Sequence, residues 1–366
     1  MTSRAGRAGR VCVAASMLFT AFLPLSLASA ASCGPAWSVM PISQTEALKG
    51  VSVVSPTDVW AAGVGHRSVA EHWDGTTWTH YAVPVDSGSS GDALYDVTAT
   101  SATDAWFVGN YAELGTGTLR ALIVRRTSGT FTQYPVDAGA DPSLRGIGAA
   151  AADDVWAVGW NVIGGHHRPV SMHWNGSDWT VVPAPAPKRG DRELYDVAVL
   201  GPTDAWAAGR TAARGGIKGY VMHWDGSAWA SVPTPTVGTQ SWAFFGVAAV
   251  GSDVWVVGYR NNGDHVLVEH WDGSSFTIQP TPKLGSYGAL SSVTAVNDHL
   301  AWAVGYSGEG PALLRWDGTS WTQTAAPDPQ RAFIVERVDA ASSGETFVVG
   351  HHGTEPYAIR RCDPVP

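Results

Sequence analysis

ALKGVSVVSPTDVWAAGVGHRSVAEHWDGTTWTHYAVP, residues 47 to 84, decides the fold, because the same unit recurs along nearly the whole chain. Aligned on their DxWAxG core, the copies place tryptophan at Trp60, Trp106, Trp156, Trp206, Trp255 and Trp302, with Phe347 in a final, degenerate copy. The steps are about 45 to 50 residues, a period that signals propellers rather than helical arrays.

Within a copy the apolar residues alternate with period two and the breaks hold turn residues, which predicts four short strands. In the first copy these are Leu48 to Val54, Val59 to Val64, Ser68 to Trp73 and Thr77 to Val83. The first break is SPTD, where proline presets a turn and aspartate can bond the backbone locally. The third is Asp74 and Gly75, a strong hairpin signal. No stretch has helical periodicity, so the fold class is all-β: a β-propeller of four-stranded antiparallel blades.

The last copy, Phe333 to Cys362, supplies only three strands. Its fourth sits at the other end of the chain, where CGPAWSVMPI, residues 33 to 42, overlays DGTTWTHYAV and Trp37 falls on Trp78. The N-terminal strand therefore completes the C-terminal blade, giving seven blades.

Arg4, Arg7 and Arg10 precede an apolar run from Val11 to Ala28, and Ala28, Ser29 and Ala30 form an A-x-A cleavage site. Residues 1 to 30 thus have the pattern of a Sec-type secretory signal peptide, and residues 31 to 366 form the propeller, a single domain, in a secreted, extracellular protein. No second apolar stretch suits a membrane span, so no membrane insertion is expected. Loss of the leader removes three arginines and takes the formal charge from −9 to −12. An acidic surface disfavours nucleic acid and anionic membranes. Charged residues are only 15% of the chain while tryptophan numbers 18, which suits sheets packed face to face.

Beyond the leader's Cys12, the cysteines are Cys33 and Cys362, an even number for an oxidising compartment. In the repeat alignment they fall beside one another, at the positions of Asp74 and Trp73, so a disulfide would staple the ring at its seam. Two free thiols, or a lipid-modified Cys33, are the competing readings.

The acid before the core tryptophan, at Asp58, Asp104, Asp154, Asp204 and Asp253, recurs too often for a catalytic group and is expected to bond a tight turn. His72, His173, His223 and His270 lie on different blades, with Arg125, Arg315 and Arg361 at the equivalent positions of the other copies. Metal ligands must converge within a few ångströms, so a packing or hydrogen-bonding role is expected, with no metal and no cofactor.

DVWAVG followed by HWDGTSW-type strings resembles the secreted, tryptophan-rich propellers of actinobacteria and myxobacteria, which are kelch-like or lectin-like, over Trp37 to Cys362. The chain also resembles the lectin-type propeller subunits of actinobacterial umbrella toxin particles. What these resemblances imply is a propeller that binds carbohydrate or protein and, on the second, a subunit of a larger secreted complex. WD40 and sialidase Asp-box likenesses are partial.

Catalytic motifs are scarce: there is no GxSxG, HExxH, phosphate-binding glycine loop or DxDxDG calcium loop. A sialidase-like set could be assembled from Arg145, Arg210 and Arg337 with Tyr95, Tyr195 and Glu336, selected by repeat position alone. Enzyme activity stays open, with binding favoured.

The informative signal is where the copies differ. The first-to-second and third-to-fourth turns share one face and are short and uniform, whereas the second-to-third loops and the connectors share the other and vary from VGHRS to NYAELGTGTLR and WNVIGGHHRPV. Loops on a rigid scaffold carry recognition, so the variable face is the candidate binding face. Two rings of positions lie there. After the second strand come Val64, Asn110, Trp160, Arg210, Tyr259, Tyr306 and His351; at the start of the innermost strand come Lys49, Tyr95, Arg145, Tyr195, Phe245, Ser291 and Glu336. Aromatic platforms interleaved with directed polar groups suit a glycan or an extracellular protein. The alternative is a glycan-active hydrolase or lyase in the axial funnel. An acidic pair beside a free base would favour that enzyme; an aromatic and amide-lined hollow would favour a binder.

Overall fold

Alternation of apolar and polar residues becomes alternation of faces, and in the first blade it builds strands Ala47–Ser55, Asp58–Val64, Val69–Trp73 and Trp78–Ala82, paired in that order. The computed structural model describes residues 1–2, 33–43, 46–65, 67–85, 89–328 and 333–365, so the expected leader lies outside the described residues apart from its first two. From Cys33 onward the chain forms one unit. It contains seven four-stranded antiparallel sheets, whose first strands touch one another in a closed ring. The helical content among the described residues is one 3-10 turn, Asn261–Gly263, and no described helix is long and apolar enough to cross a membrane.

The closure follows the expectation. Ser38–Val39 pairs with Glu355–Cys362, Ser38 opposite Arg360 and Val39 opposite Ile359, and the Met40 amide donates to the Ala358 carbonyl at 2.9 Å. Cys33 and Cys362 are bonded, with their Cα atoms 5.4 Å apart. One detail is corrected by the ladder. Arg360, not Arg361, stands opposite Phe347 as His72 stands opposite Trp60, so Cys362 occupies the place of Asp74. Cys33 overlays Asp74 as well. The disulfide therefore spans the break where every other blade has a continuous hairpin turn.

Tryptophan fills the space between blades. Trp60, Trp106, Trp156, Trp255 and Trp302 are fully or almost fully buried. Each core ring meets aromatic or cationic side chains of the next blade: Trp156 lies 4.9 Å from Trp224 and 5.1 Å from Trp229, and Trp255 lies 5.0 Å from Trp316. At the seam Trp37 takes this part, edge-on to Trp302 at 4.9 Å. In the second blade Arg126 replaces the tryptophan and stacks over Trp60 at 4.7 Å.

The repeated acid does something other than bond the turn. Asp58 meets His72 at 2.6 Å, Asp154 meets His173 at 2.8 Å, Asp204 meets His223 at 2.9 Å and Asp253 meets His270 at 2.6 Å, while Asp104 takes Arg125 in a two-pronged pair. Each of these histidines also lies against its blade's core tryptophan, ring centroids 4.1 to 4.4 Å apart. A carboxylate fixes the imidazole and the imidazole covers the indole. The acid that bonds the turn is instead Asp74 and its counterparts: its Oδ1 accepts the Thr76 and Thr77 amides at 2.8 Å, across a turn that needs Gly75 at φ +97°.

Candidate functional site

Every innermost strand carries a bulge at one equivalent place near its start, and five of the seven slip elsewhere as well. The ladder slips by one residue between Leu48 and Gly50, and again between Leu94 and Asp96, Leu144 and Gly146, Leu194 and Asp196, Phe244 and Gly246, Leu290 and Ser292, and Val335 and Arg337. The extra residue in each bulge is Lys49, Tyr95, Arg145, Tyr195, Phe245, Ser291 or Glu336. A bulge bends its strand and re-aims the extra side chain. Here all seven, with Tyr306 and Arg337, line one hollow of about 360 Å³.

The hollow has a floor. The residue after each bulge is glycine in the first, third and fifth blades and Asp96, Asp196, Ser292 or Arg337 in the others. Glycine is needed there because a Cβ at Gly146 would stand 2.7 Å from the Asp196 Cα. Asp96 accepts the Ile147 amide at 3.0 Å and Asp196 accepts the Val247 amide at 2.9 Å, each tying its blade to the next. Arg337 reaches across to both aspartates, its Nε 3.0 Å from Asp96 Oδ1 and its Nη1 3.1 Å from Asp196. Arg337 also lines a second hollow of about 180 Å³ that includes Ser52, Thr98 and Asp339, so its guanidinium separates the two. Burial pushes the Asp196 and Asp339 carboxyls up to about 6, against the pull of Arg337 on Asp196 and of the Val53 amide on Asp339. The hollow is a cup with an ionic floor.

Six expected site residues, Tyr95, Arg145, Tyr195, Phe245, Tyr306 and Glu336, share this cup. Trp160, Arg210, Tyr259 and His351 do not line it, although Tyr306, at the same second-strand position in the blade whose bulge residue is the small Ser291, does. Trp160 lies over the Arg145 guanidinium at 4.8 Å, Tyr259 packs 5.8 Å from Phe245, and His351 Nε2 is 2.9 Å from both Glu336 Oε1 and Lys49 Nζ. Arg210 is held by Glu193 through bonds of 2.8 and 3.1 Å. Of the sialidase-like set, Tyr95, Arg145, Tyr195, Glu336 and Arg337 line the cup and Arg210 does not; Arg210 and Arg337 are both already ion-paired, with Glu193 and with the floor aspartates.

Both glutamates near the cup are neutralised. Glu336 Oε1 lies 2.6 Å from Lys49 Nζ. Burial pushes Glu336 up, but bonds to His351 and Lys49 more than offset it and hold the carboxyl below its ordinary range. Burial also pushes Glu193 up, and bonds from Arg210, Tyr195 and His167 again prevail. Arg145 differs. Its Nε donates to Ser143 Oγ at 2.9 Å, and it has no carboxylate partner among the described residues.

Glu193, Ser143 and the ionic floor were not singled out from the sequence. The floor had a visible signal, the interruption of a recurring glycine by Asp96, Asp196 and Arg337; the bulges had none, because no turn residue marks them.

No protein-family model and no curated protein matches the chain. Among solved structures it is similar to YCF48 bound to D1 peptide, at 15% identity over 91% of this chain and 100% of that one, with a TM-score of 0.60. It is similar to the WD40 β-propeller domain of Doa1, at 14% identity over 89% and 97% of the two chains, TM-score 0.60. It also resembles PorZ, a surface component of the type IX secretion system of Porphyromonas gingivalis, at 12% identity over 87% of this chain and 48% of that one, TM-score 0.57. At such identities the likeness is one of fold, and the fold it shares with them is the β-propeller.

Proposed function

We propose that this protein is a secreted, non-catalytic binding module that takes part of an extracellular protein or glycan into the axial cup of its variable face. The observation that carries the reading is the set of seven bulges, which aim seven side chains of six different types into one hollow on a scaffold that is otherwise repetitive. The rim adds apolar surface for a macromolecular partner: Leu114, Ile163 and Tyr287 are exposed on variable-face loops. Binding is favoured over hydrolysis because a glycosidase needs one carboxyl kept protonated at the substrate, whereas Glu336 and Glu193 at the wall are ion-paired and held low and the raised carboxyls of Asp196 and Asp339 line the second hollow rather than the cup. A propeller similar to this one is described as bound to a peptide, which makes a protein partner the first to try. Lectin-like activity and a place in a larger secreted, toxin-type assembly are narrower forms of the same proposal.

The test is a glycan array and a peptide array probed with the mature protein and with Phe245→Ala. Capture on either array that disappears in a folded Phe245→Ala supports the cup as the site. Capture unchanged by Phe245→Ala contradicts it, and release of sugar from any array member would restore the enzyme.

A further inference from the structure

We infer that the cup recognises the free carboxyl terminus of a peptide whose last side chain is apolar, with Arg145 as the carboxylate anchor; the inference rests on the cup being the binding site. Three observations converge on it. Arg145 is packed against two rings and fixed at one edge, since its guanidinium lies 3.9 Å from the Tyr95 ring and 4.8 Å from the Trp160 ring and Ser143 Oγ takes the Nε–H. What remains of its five donors is the terminal Nη fork, the part that matches a carboxylate with two parallel bonds. The other cations of the cup are already engaged, Lys49 with Glu336 and Arg337 with Asp96 and Asp196, so Arg145 is the one lining cation without a carboxylate partner among the described residues.

The second observation is the floor. Arg337, paired with Asp96 and Asp196, stands between the cup and the hollow beneath it, so a chain that enters does not run through, and an end fits better than an extended run. The third is the rest of the wall. Tyr195, Phe245 and Tyr306 present apolar ring surface, while among the described residues no asparagine or glutamine lines the cup and its lining carboxylate is occupied. Vicinal sugar hydroxyls are normally held by such amides and carboxylates, each group both donating and accepting. Their lack, beside a fixed guanidinium, favours a peptide end over a sugar.

The experiment is a library of N-terminally anchored tetrapeptides varied at the last two positions, each made both as the free acid and as the C-terminal amide, and probed with the mature protein. Capture should be confined to free acids ending in an apolar residue, with a loss of about ten-fold or more on amidation. Arg145→Gln should erase the difference between acid and amide, and Arg145→Lys should keep part of it. Equal capture of acids and amides, lost in Phe245→Ala, would leave the cup as a site and overturn the chain-end inference. Capture indifferent to Phe245→Ala would remove the cup itself. No capture of any peptide, or capture on a glycan array alone, also overturns the inference. If Arg145→Gln fails to fold, the acid and amide comparison on the unaltered protein still decides the question.

Discussion

Two rings of side chains run around this propeller, and they follow opposite rules. The ring between the blades repeats: an acid, a histidine or arginine and a tryptophan recur with nearly the same distances, from Asp58, His72 and Trp60 to Asp253, His270 and Trp255. The ring at the axis does not: Lys49, Tyr95, Arg145, Tyr195, Phe245, Ser291 and Glu336 occupy equivalent bulges and share little chemistry. Equivalent positions under equal packing demands converge on the same residues. Positions free of those demands diverge, and divergence on a fixed frame is what a binding site needs.

The harshest way to break the comparison is to remove the piece on which the repeated ring closes. Deleting residues 33 to 42 takes away Trp37, the last strand of the seventh blade and one half of the disulfide, and should leave no cooperative unfolding transition. An unaltered melting curve would show that the ring closes without that strand.

Cutting only the covalent link is milder. Cys33→Ser frees a loop spanning 329 residues, for which chain entropy gives roughly 5 kcal/mol as an upper figure. Denaturant unfolding should show a loss of that order or below, with capture of any cup ligand unchanged, because the bond lies at the hairpin-turn face. A loss of capture would tie the seam to the site.

The repeated ring also contains an exception that responds to pH. Glu269 is fully buried between blades, and neither of its carboxylate oxygens has a hydrogen-bond partner among the described residues. Burial pushes its carboxyl up to about 8. Since folding raises this value above the ordinary 4.5, the protonated form favours the fold: its contribution is complete below about pH 4.5 and is lost as pH rises through 8. The melting temperature should therefore fall between pH 6 and pH 9. Glu269→Met, which installs the residue found at the same ladder position as Met172 and Met222, should flatten that fall and stabilise the protein at pH 8. A fall that persists in Glu269→Met would place the proton elsewhere.

The smallest effect belongs to the histidines. His173→Asn removes the bond to Asp154 and the cover over Trp156, and should lower stability by about 1 kcal/mol with no effect on capture. A loss confined to binding would mean that this layer reaches the site.

The comparison also explains what could be read from the amino-acid sequence. The blades, the closure by Trp37 and the bond between Cys33 and Cys362 were legible because repetition turns one local pattern into seven aligned ones. The innermost-strand positions were legible as a ring for the same reason, and the structure brings all seven into one cup. Three things were not. The pairing of Asp58 with His72 rather than with the turn depends on side chains meeting across a ladder, which spacing alone does not give. Trp160, Arg210, Tyr259 and His351 stay out of the lining while Tyr306, at the same strand position, enters it in the blade with the small Ser291, a difference that repeat position alone does not give. The floor required knowing that Arg337, on the seventh blade, is long enough to reach the second and fourth.

The most direct test sets one residue of each ring against the other within a single blade. Trp255 and Phe245 stand on adjacent strands, the first 2% exposed between blades, the second half-buried in the cup wall. In urea unfolding of residues 31–366, Trp255→Ala should cost about 3 to 5 kcal/mol, and Phe245→Ala less, about 1 to 2 kcal/mol, because part of its ring is exposed in the cup. Equal losses would make the axial ring part of the core and would contradict the division between cement and site.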